Sequence, residues 1–300
     1  MFAYVTSERF TLLDPKDRER LEAIAKLDEF KAGQEILKTG QPVEWLYLIV
    51  DGGVDLRGQA AAGEVTLASL GPGDIFGELE AFAELPAGTR HVARVDTVVR
   101  AVPKNPLMQE LRAHRTLATG LLAVYCRSIS EKVRAINEVA ARLAPPSPGF
   151  SRPPPPASAA AGRPPHLSEE ETAWISLLGQ QLQAAAGETV VAEGDTSRSF
   201  YVVESGELEV RKRLQRGEPE RTLATLGARD LFGIMAFVDG KPRSASVVSV
   251  GVSQLARVEP EMLEKATHLN FTVGFKFLGT LCGVLGRTWR DTARAVLAHA

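Results

Sequence analysis

The amino-acid sequence predicts a mainly β protein with flanking helices, an α+β chain built from two tandem jelly-roll-like β-rolls. Two observations lead to this fold class. Short strand-like segments separated by glycines fill much of both halves of the 300-residue chain, which is typical of rolls and barrels. Each half then changes to a helical period. We therefore expect two copies of one fold, each followed by a long C-terminal helix.

The repeat is visible in the positions of seven residues of the first half. Each recurs in the second half with the same side chain, the first four at an offset of 154 and the last three at an offset of 156. Because such offsets across unlike residue types indicate duplication, we assign a first domain to residues 1–143 and a second to residues 166–300. The pairs are Gly33 and Gly187, Gly40 and Gly194, Tyr47 and Tyr201, Gly52 and Gly206, Asp74 and Asp230, Phe76 and Phe232, and Gly77 and Gly233.

The elements of the first domain follow from local signals. A helix begins after Asp14, a capping residue that precedes Pro15 and an acidic first turn. The period becomes helical again from 106 to 143. Strand-like segments lie between these helices, at 34–37, 45–50, 54–56, 65–68 and, after a Phe-Gly-Glu turn, 91–102.

Residues 144–165 form a Pro/Ala-rich linker that contains nine prolines. A segment of this composition has no means of burying a core, so we expect an extended or mobile spacer. A proline-rich ligand for an SH3-like partner is the other interpretation. The second domain then starts at a capping box, with Ser168 followed three residues later by Glu171.

The last helix of each half carries a narrow, mostly apolar strip at alternating spacings of four and three. Such a strip fits either the helix's own barrel or a partner helix, as in a coiled coil. We therefore expect protein partners, self-association, or both, through helices 106–143 and 270–300. The strip residues are Leu122, Cys126, Ile129, Val133, Ile136, Ala140 and Leu143 in the first half, and Phe271, Phe275, Leu278, Cys282, Leu285, Trp289, Thr292 and Val296 in the second.

Composition excludes several functional classes. The net charge is −2, and no helix-turn-helix follows the last helix, so no nucleic-acid partner is expected. The two cysteines, Cys126 and Cys282, lie in the strips and are interpreted as small apolar residues in a reducing compartment. No apolar run is long enough for a membrane span and no signal peptide is apparent, so we expect a cytoplasmic protein with no membrane partner.

No pattern of catalytic or metal-binding residues is visible. The five histidines are scattered, with no two at the spacing of metal ligands. No Ser-His or Cys-His arrangement is legible either. We expect a protein that is not an enzyme and that has neither a metal nor a cofactor.

Each half contains the pattern Gly-x-x-Asp-x-Phe-Gly, at 71–77 and 227–233, and the second continues into Pro-Arg-Ser-Ala-Ser at 242–246. Together with the glycine framework, these motifs resemble the cyclic nucleotide-binding domain family, shared by catabolite-activator-type regulators, kinase regulatory subunits and nucleotide-gated channels. The resemblance covers residues 10–143 and 166–300. It implies a phosphate-binding cassette, in which a glutamate after Phe-Gly holds the ribose 2′-hydroxyl and an arginine nine or ten residues later pairs with the cyclic phosphate. It also implies a long helix after the barrel that covers the base.

In the second domain, the resemblance places Arg243 at the phosphate-pairing position. Ile234 stands where the family has its glutamate, so this site loses the ribose contact and keeps the phosphate contact. The structural alternative is that Arg243 caps the Gly233 turn or pairs with an acid such as Asp239. The predicted binding residues are Phe232, Gly233, Ile234, Met235, Pro242, Arg243, Ser244 and Ala245.

In the first domain, Glu78 matches the glutamate, and the arginine position falls at Ala87 or Gly88. Arg90 lies two residues too far along the chain, although strand alternation gives it the same face as Gly88, so a longer loop would let it serve. A site with a glutamate and no arginine presents an anion to an anionic ligand. The predicted residues of this lesser site are Phe76, Gly77, Glu78, Leu79 and Arg90.

Two hypotheses for the function follow. In the first, the protein is a regulatory sensor that binds cAMP or cGMP, chiefly in the second domain, and signals to protein partners through its terminal helices. In the second, it is a scaffold of degenerate domains that binds proteins and no nucleotide. Nucleotide titration separates the two.

Overall fold

A computed structural model describes residue 10 and residues 13–81, 85–143, 166–213 and 219–300. The predicted linker, residues 144–165, and residues 1–9 lie outside the described residues. The chain divides into two compact units, residues 1–136 with 271–300, and residues 137–270. The last helix in the sequence therefore belongs to the first unit. The domain limits assigned from the repeat stay a prediction.

The first unit begins with helix α1 (Pro15–Ile24), which Asp14 caps by accepting the backbone N–H of Asp17 at 2.8 Å. A short helix, α2 (Glu78–Ala81), follows the sixth strand, and the helices α3 (Lys104–Ala113) and α4 (Arg115–Leu143) follow the eighth. The strands are β1 (Lys26–Phe30), β2 (Glu35–Leu37), β3 (Trp45–Asp51), β4 (Val54–Ala60), β5 (Gly63–Leu70), β6 (Ile75–Phe76), β7 (Arg90–Ala93) and β8 (Thr97–Pro103).

The second half of the chain has the same order of elements, although its last helix belongs to the first unit. Helix α5 (Glu169–Ser176) starts at the predicted capping box, in which Ser168 and Glu171 bond each other's backbone N–H. The short helix is α6 (Ile234–Asp239), and α7 (Pro260–Leu269) and α8 (Phe271–His299) end the chain. The strands are β9 (Gln180–Ala184), β10 (Thr189–Val191), β11 (Phe200–Ser205), β12 (Leu208–Lys212), β13 (Arg221–Leu226), β14 (Leu231–Phe232), β15 (Ser246–Ser249) and β16 (Ser253–Val258).

The described strands of each unit form two four-stranded antiparallel sheets with one topology. In the first unit the orders are β1-β8-β3-β6 and β2-β7-β4-β5, and in the second they are β9-β16-β11-β14 and β10-β15-β12-β13. The same aromatic pair stacks in both cores, Tyr47 with Phe76 and Tyr201 with Phe232, at centroid distances of 4.6 and 4.7 Å. The predicted fold class, two tandem β-rolls with flanking helices, is confirmed.

The repeated glycines have a conformational reason. All eight have positive φ, between 80° and 96°, a region that side chains with a Cβ rarely adopt. At Gly77 a Cβ would also come within 2.7 Å of the Trp45 carbonyl oxygen. The glycine framework therefore fixes the turns of both rolls.

The two apolar strips meet within the first unit. The Sγ atoms of Cys126 on α4 and Cys282 on α8 lie 2.9 Å apart, and both side chains are fully buried. Each strip was expected to fit its own barrel or a partner helix, and here α8 contacts α4, the short helix α2 and strand β4 of the first unit. The strip residues proposed for self-association are therefore largely covered within the chain, with Leu143 the exposed large apolar member.

Within the described part of the chain, no helix has the length and apolar character needed to cross a bilayer. The same residues contain no group of three or more His, Cys, Asp or Glu side chains placed to hold a metal ion. Both cysteines are free thiols.

Candidate functional site

The cassette of the second unit is built on the turn between β14 and α6. Gly233 adopts φ 80°, and α6 begins at the next residue, Ile234. The chain returns through a loop to Arg243, whose backbone N–H donates to Asp195 at 2.8 Å and whose carbonyl accepts from Gly194 at 2.9 Å. The arginine is thus held in register against the loop before β11.

The guanidinium of Arg243 is buried and bonded to the protein. Its Nη1 donates to the carbonyl of Gly233 at 2.9 Å, and Nη2 donates to the carbonyl of Ser199 at 2.6 Å. The hydroxyl of Ser197 accepts from both Nε and Nη2, at 3.3 and 3.1 Å. Burial lowers the pKa of this guanidinium from its ordinary value. The arginine therefore caps the Gly233 turn, as the structural alternative predicted.

The charge of Arg243 has no carboxylate beside it. Among the described residues, its hydrogen bonds all go to uncharged oxygens, and no carboxylate lies within ion-pair distance. Of the two structural alternatives for Arg243, the structure therefore has the cap on the Gly233 turn and not an ion pair with Asp239. The charge of Asp195 reaches the guanidinium only indirectly, because the Ser197 hydroxyl that accepts from Arg243 donates to Asp195 Oδ2 at 2.8 Å. A buried cation with no carboxylate in direct contact is suited to an anion-binding site.

The other predicted residues of this cassette differ in how deeply their side chains are buried. Phe232, Ile234 and Ala245 are buried, whereas Met235 and Ser244 are half-buried and Pro242 is exposed. Phe232 stacks on Tyr201 in the core. Ile234, at 5% exposure, gives the floor of the cassette an apolar surface where an acid would hold a hydroxyl.

The first unit uses its glutamate for an internal ion pair. Glu78 is fully buried and forms a salt bridge with Lys132 of α4. Its Oε1 also accepts from Ser128 at 3.1 Å, and Lys132 donates in addition to the carbonyl of Ile75 at 2.6 Å. Glu78 therefore anchors helix α4 to the β6–α2 turn. Lys132 was not predicted as a site residue, because its only signal in the sequence is a cation beside an otherwise apolar strip.

The structure locates the arginine position of the first unit at Ala87. Gly40 donates to the Ala87 carbonyl at 2.8 Å, and Ala87 donates to the Gln41 carbonyl at 2.9 Å. The same two bonds hold Arg243 between Gly194 and Asp195. Ala87 and Arg243 are therefore equivalent positions.

Arg90 lies outside this cassette. Its side chain is 46% exposed at the start of β7 and forms ion pairs with Glu35 at 2.7 Å and Glu64 at 2.5 Å. Because strands β2 and β5 supply these acids, the guanidinium is drawn to the outer face of the sheet. The suggestion that Arg90 takes the arginine role is not what the structure shows. Of the other predicted residues, Phe76 and Leu79 are buried in the core.

Helix α8 covers the first cassette. Its Leu297 reaches β4, where a Cβ on Gly58 would come within 2.5 Å of the leucine Cδ1. Its Arg290 lies over Gly88, one residue after the arginine position, with Cγ 3.7 Å from the point where a Gly88 Cβ would lie. A cavity of about 250 Å³ separates this part of α8 from the loop.

Two further buried groups surround the first cassette. Burial, followed by the charge of Glu78, raises the pKa of Glu80 to about 7, and Glu80 accepts the backbone N–H of Gly88 at 3.4 Å. Burial and the charge of Lys132 lower the pKa of His91 to about 3. His91 stacks on Phe76 at 5.6 Å, so it is a neutral core residue at physiological pH.

The profile of the cyclic nucleotide-binding domain family matches residues 27–114 and 181–268. Among curated proteins, the chain is similar to cAMP-dependent protein kinase regulatory subunits. That of Mycosarcoma maydis is 34% identical over 139 residues, 45% of this chain and 25% of the relative. That of Blastocladiella emersonii is 22% identical over 264 residues, 87% of this chain and 54% of the relative. The chain thus spans about half or less of these relatives.

Two solved structures illustrate the similarity of the chain to known proteins. The regulatory domain of Toxoplasma gondii PKA with cAMP has a TM-score of 0.34 and 18% identity, over 92% of both chains. A cyclic nucleotide-binding domain from Methylobacillus flagellatus has a TM-score of 0.39 and 26% identity, over 43% of this chain and 71% of that one.

Proposed function

This chain belongs to the cyclic nucleotide-binding domain family, as its motifs predicted, and we propose that it is a non-catalytic regulatory protein that binds a cyclic nucleotide in its second unit. The observation that carries the proposal is the Arg243 guanidinium, buried at 4% exposure with no carboxylate partner among the described residues. Similarity to regulatory subunits of cAMP-dependent kinases supports a regulatory role. The ligand is cAMP or cGMP.

The geometry of Arg243 favours replacement of the Ser197 hydroxyl by a ligand phosphate at one edge of the guanidinium. Nε and Nη2 share a single acceptor, the Ser197 hydroxyl, at 3.3 and 3.1 Å. A phosphate offers two oxygens to the same two donors, which gives the parallel, bidentate bonds that guanidinium groups prefer. The bond from Nη1 to Gly233 remains in place during this exchange, so the Gly233 turn stays capped.

Ile234 sets the expected strength. The missing carboxylate removes a charge-assisted hydrogen bond, which contributes about 1.5–3 kcal/mol net. Binding is therefore weaker by about ten- to a hundredfold than in a cassette that keeps both residues. We expect affinities in the sub-millimolar range.

In this proposal, the response to nucleotide passes to protein partners. The relatives are regulatory subunits of a protein kinase, so a kinase is the first partner to test. The exposed surfaces of the units take this role, since the apolar strips of α4 and α8 are covered within the first unit.

The alternative is a protein–protein interaction scaffold that binds no nucleotide. Three observations favour it: Glu78 is paired with Lys132, Ala87 occupies the arginine position, and α8 covers the first cassette. In the second unit, four guanidinium–acceptor bonds already hold Arg243. The alternative keeps the fold and assigns both cassettes to stability.

The test is calorimetric titration of the full chain with cAMP, cGMP and the phosphate-free nucleoside adenosine. We expect sub-millimolar binding of a cyclic nucleotide, no binding of adenosine, and loss of binding in Arg243→Ala. Arg213→Ala removes an exposed arginine of the same unit and serves as the matched control. Arg243→Lys keeps the charge without the fork and covers the case in which Arg243→Ala unfolds. No heat at saturating nucleotide, with the chain folded, would refute the sensor and leave the scaffold.

A further inference from the structure

The cavity between α8 and the cassette loop of the first unit has the chemistry of an anion site. Its volume is about 250 Å³, and Ala87, Gly88, Trp289, Arg290 and Arg294 are among the residues that line it. One wall thus includes Ala87, which is equivalent to Arg243 of the second unit. The opposite wall brings two guanidinium groups to the same place.

Arg290 has no partner in the described part of the chain. Its Cγ, Nε and Cδ lie 3.7, 3.8 and 4.0 Å from the point where a Gly88 Cβ would lie, so the side chain crosses the loop in van der Waals contact. Its Nε is buried and lacks an acceptor. A Cβ at Gly88 would reach only ordinary van der Waals distance from this side chain, so Arg290 lies beside the loop without displacing it.

Arg294 adds a second charge one helical turn further along α8. Its nearest acid among the described residues is Asp291, at 4.0 Å, and the arginine side chain is 67% exposed. Like charges at i and i+4 repel each other on a helix, and an anion between them removes that repulsion. Trp289 lines the same cavity, and its buried Nε1 also lacks an acceptor.

The acids near the loop are already engaged. Glu78 is neutralised by Lys132, and Glu80 is buried and accepts the Gly88 N–H. Neither pairs with Arg290. The net charge that faces the cavity from α8 is therefore positive.

We propose that this cavity binds a small phosphate-bearing anion, with Arg290 and Arg294 of helix α8 supplying the positive charge that Ala87 does not. Two guanidinium groups and an indole N–H match the several acceptor oxygens of a phosphate group. The ribose-holding role of Glu78 has no part in this site. Binding there stabilises the position of α8 on the first unit, because two of the ligand's contacts come from that helix.

The test uses Trp289 as a local probe. In the full chain, Trp45→Phe and Trp174→Phe leave Trp289 as the sole tryptophan. Inorganic phosphate is titrated at constant ionic strength while the fluorescence of Trp289 is followed. We expect a saturable change whose midpoint rises at least about tenfold in Arg290→Gln, because a charge-assisted bond is lost. It should rise about threefold in the more exposed Arg294→Gln.

Matched controls separate this site from general effects. Lys31→Gln removes an exposed cation of the same unit and should leave the midpoint unchanged. If Arg290→Gln fails to fold, the test of the site uses two other variants. These are Arg290→Lys, which keeps the charge, and Arg294→Gln. A titration with cAMP in place of phosphate distinguishes the source of the group: a tighter response to cAMP assigns the site to a nucleotide, and a tighter response to phosphate assigns it to a phosphate monoester or free phosphate.

Two results would overturn the proposal. One is a response that chloride reproduces at the same concentration, and the other is an unchanged midpoint in the folded arginine variants. The site is independent of the nucleotide site proposed for the second unit. Arg243→Ala should abolish binding there and leave the phosphate response of Trp289 intact, so each proposal fails on its own.

Discussion

At the scale of single residues, the two side chains expected to hold a nucleotide both bond to the protein itself. Glu78 pairs with Lys132, and Arg243 caps the Gly233 turn. The two cases differ in charge. Glu78 has a counter-ion, whereas Arg243 meets uncharged oxygens among the described residues. An anionic ligand would supply a negative charge in direct contact with Arg243, which has none there. A ribose hydroxyl at Glu78 would meet a carboxylate that is already paired with Lys132.

The carboxyl of Glu80 gives the stability of the first unit a pH dependence. Burial raises its pKa from 4.5 to about 7, so the folded state binds the proton more tightly than the unfolded state. The stabilisation is complete below pH 4.5 and is lost as the pH rises through 7. Relative to Glu80→Gln, we expect the free energy of unfolding to fall by about 3 kcal/mol between about pH 4 and pH 8.

Urea unfolding of both proteins across this range measures the effect. The difference between the two is the quantity to follow, because His91 acts in the opposite direction. Burial lowers its pKa from 6.5 to about 3, so its contribution to stability increases as the pH rises over that interval. His91 is present in both proteins and cancels. A difference that does not change with pH would contradict the buried, protonated Glu80.

At the scale of elements, helix α4 is tied to the cassette by charge and to α8 by its apolar strip. Lys132 reaches Glu78 and the Ile75 carbonyl, while Cys126 meets Cys282. One helix therefore contacts both the β6–α2 turn and helix α8.

Lys132→Met tests the polar half of this connection. It leaves Glu78 buried without its counter-charge, and we expect a loss of about 3–5 kcal/mol in the free energy of unfolding. The double variant Glu78→Gln with Lys132→Met removes both charges and should regain most of that loss. Lys38→Met, which removes an exposed lysine of the same unit, is the control. Urea unfolding gives all four values; a double variant as unstable as the single one would argue against the ion pair.

At the scale of the whole molecule, the fold was predictable because its signals are local. The eight repeated glycines are required by positive φ at single turns, and the caps at Asp14 and Ser168 act within three residues. The partners of the site residues were not predictable. Glu78 and Lys132 are 54 residues apart, and nothing in the sequence pairs them.

The helix that each apolar strip contacts was equally unpredictable from the sequence. The strips on α4 and α8 have the same spacing and similar apolar residues, so the sequence leaves open which barrel or helix each one contacts. The arginine position of the first unit was narrowed to Ala87 or Gly88, and the backbone bonds to Gly40 and Gln41 select Ala87. The assignment depends on both copies, because the same two backbone bonds hold Arg243 in the second unit.

The same comparison yields a prediction for the second unit. Ile234→Glu restores the residue that the first unit keeps as Glu78, next to an arginine that the first unit lacks. We expect cyclic nucleotide binding to tighten by about ten- to a hundredfold, measured by calorimetry. Val238→Glu places a carboxylate elsewhere on α6 and should give no gain. Unchanged affinity in folded Ile234→Glu would mean that this position does not face the ribose.

The division of the chain also has a consequence for its biosynthesis. The second unit is one continuous segment, residues 137–270, whereas the first needs residues 271–300 to be complete. A chain made from its N-terminus can therefore close the second unit before the first, although the first is translated earlier. Until α8 emerges, the strip around Cys126 lacks the helix that covers it, so the nascent first unit exposes apolar side chains that the finished chain buries.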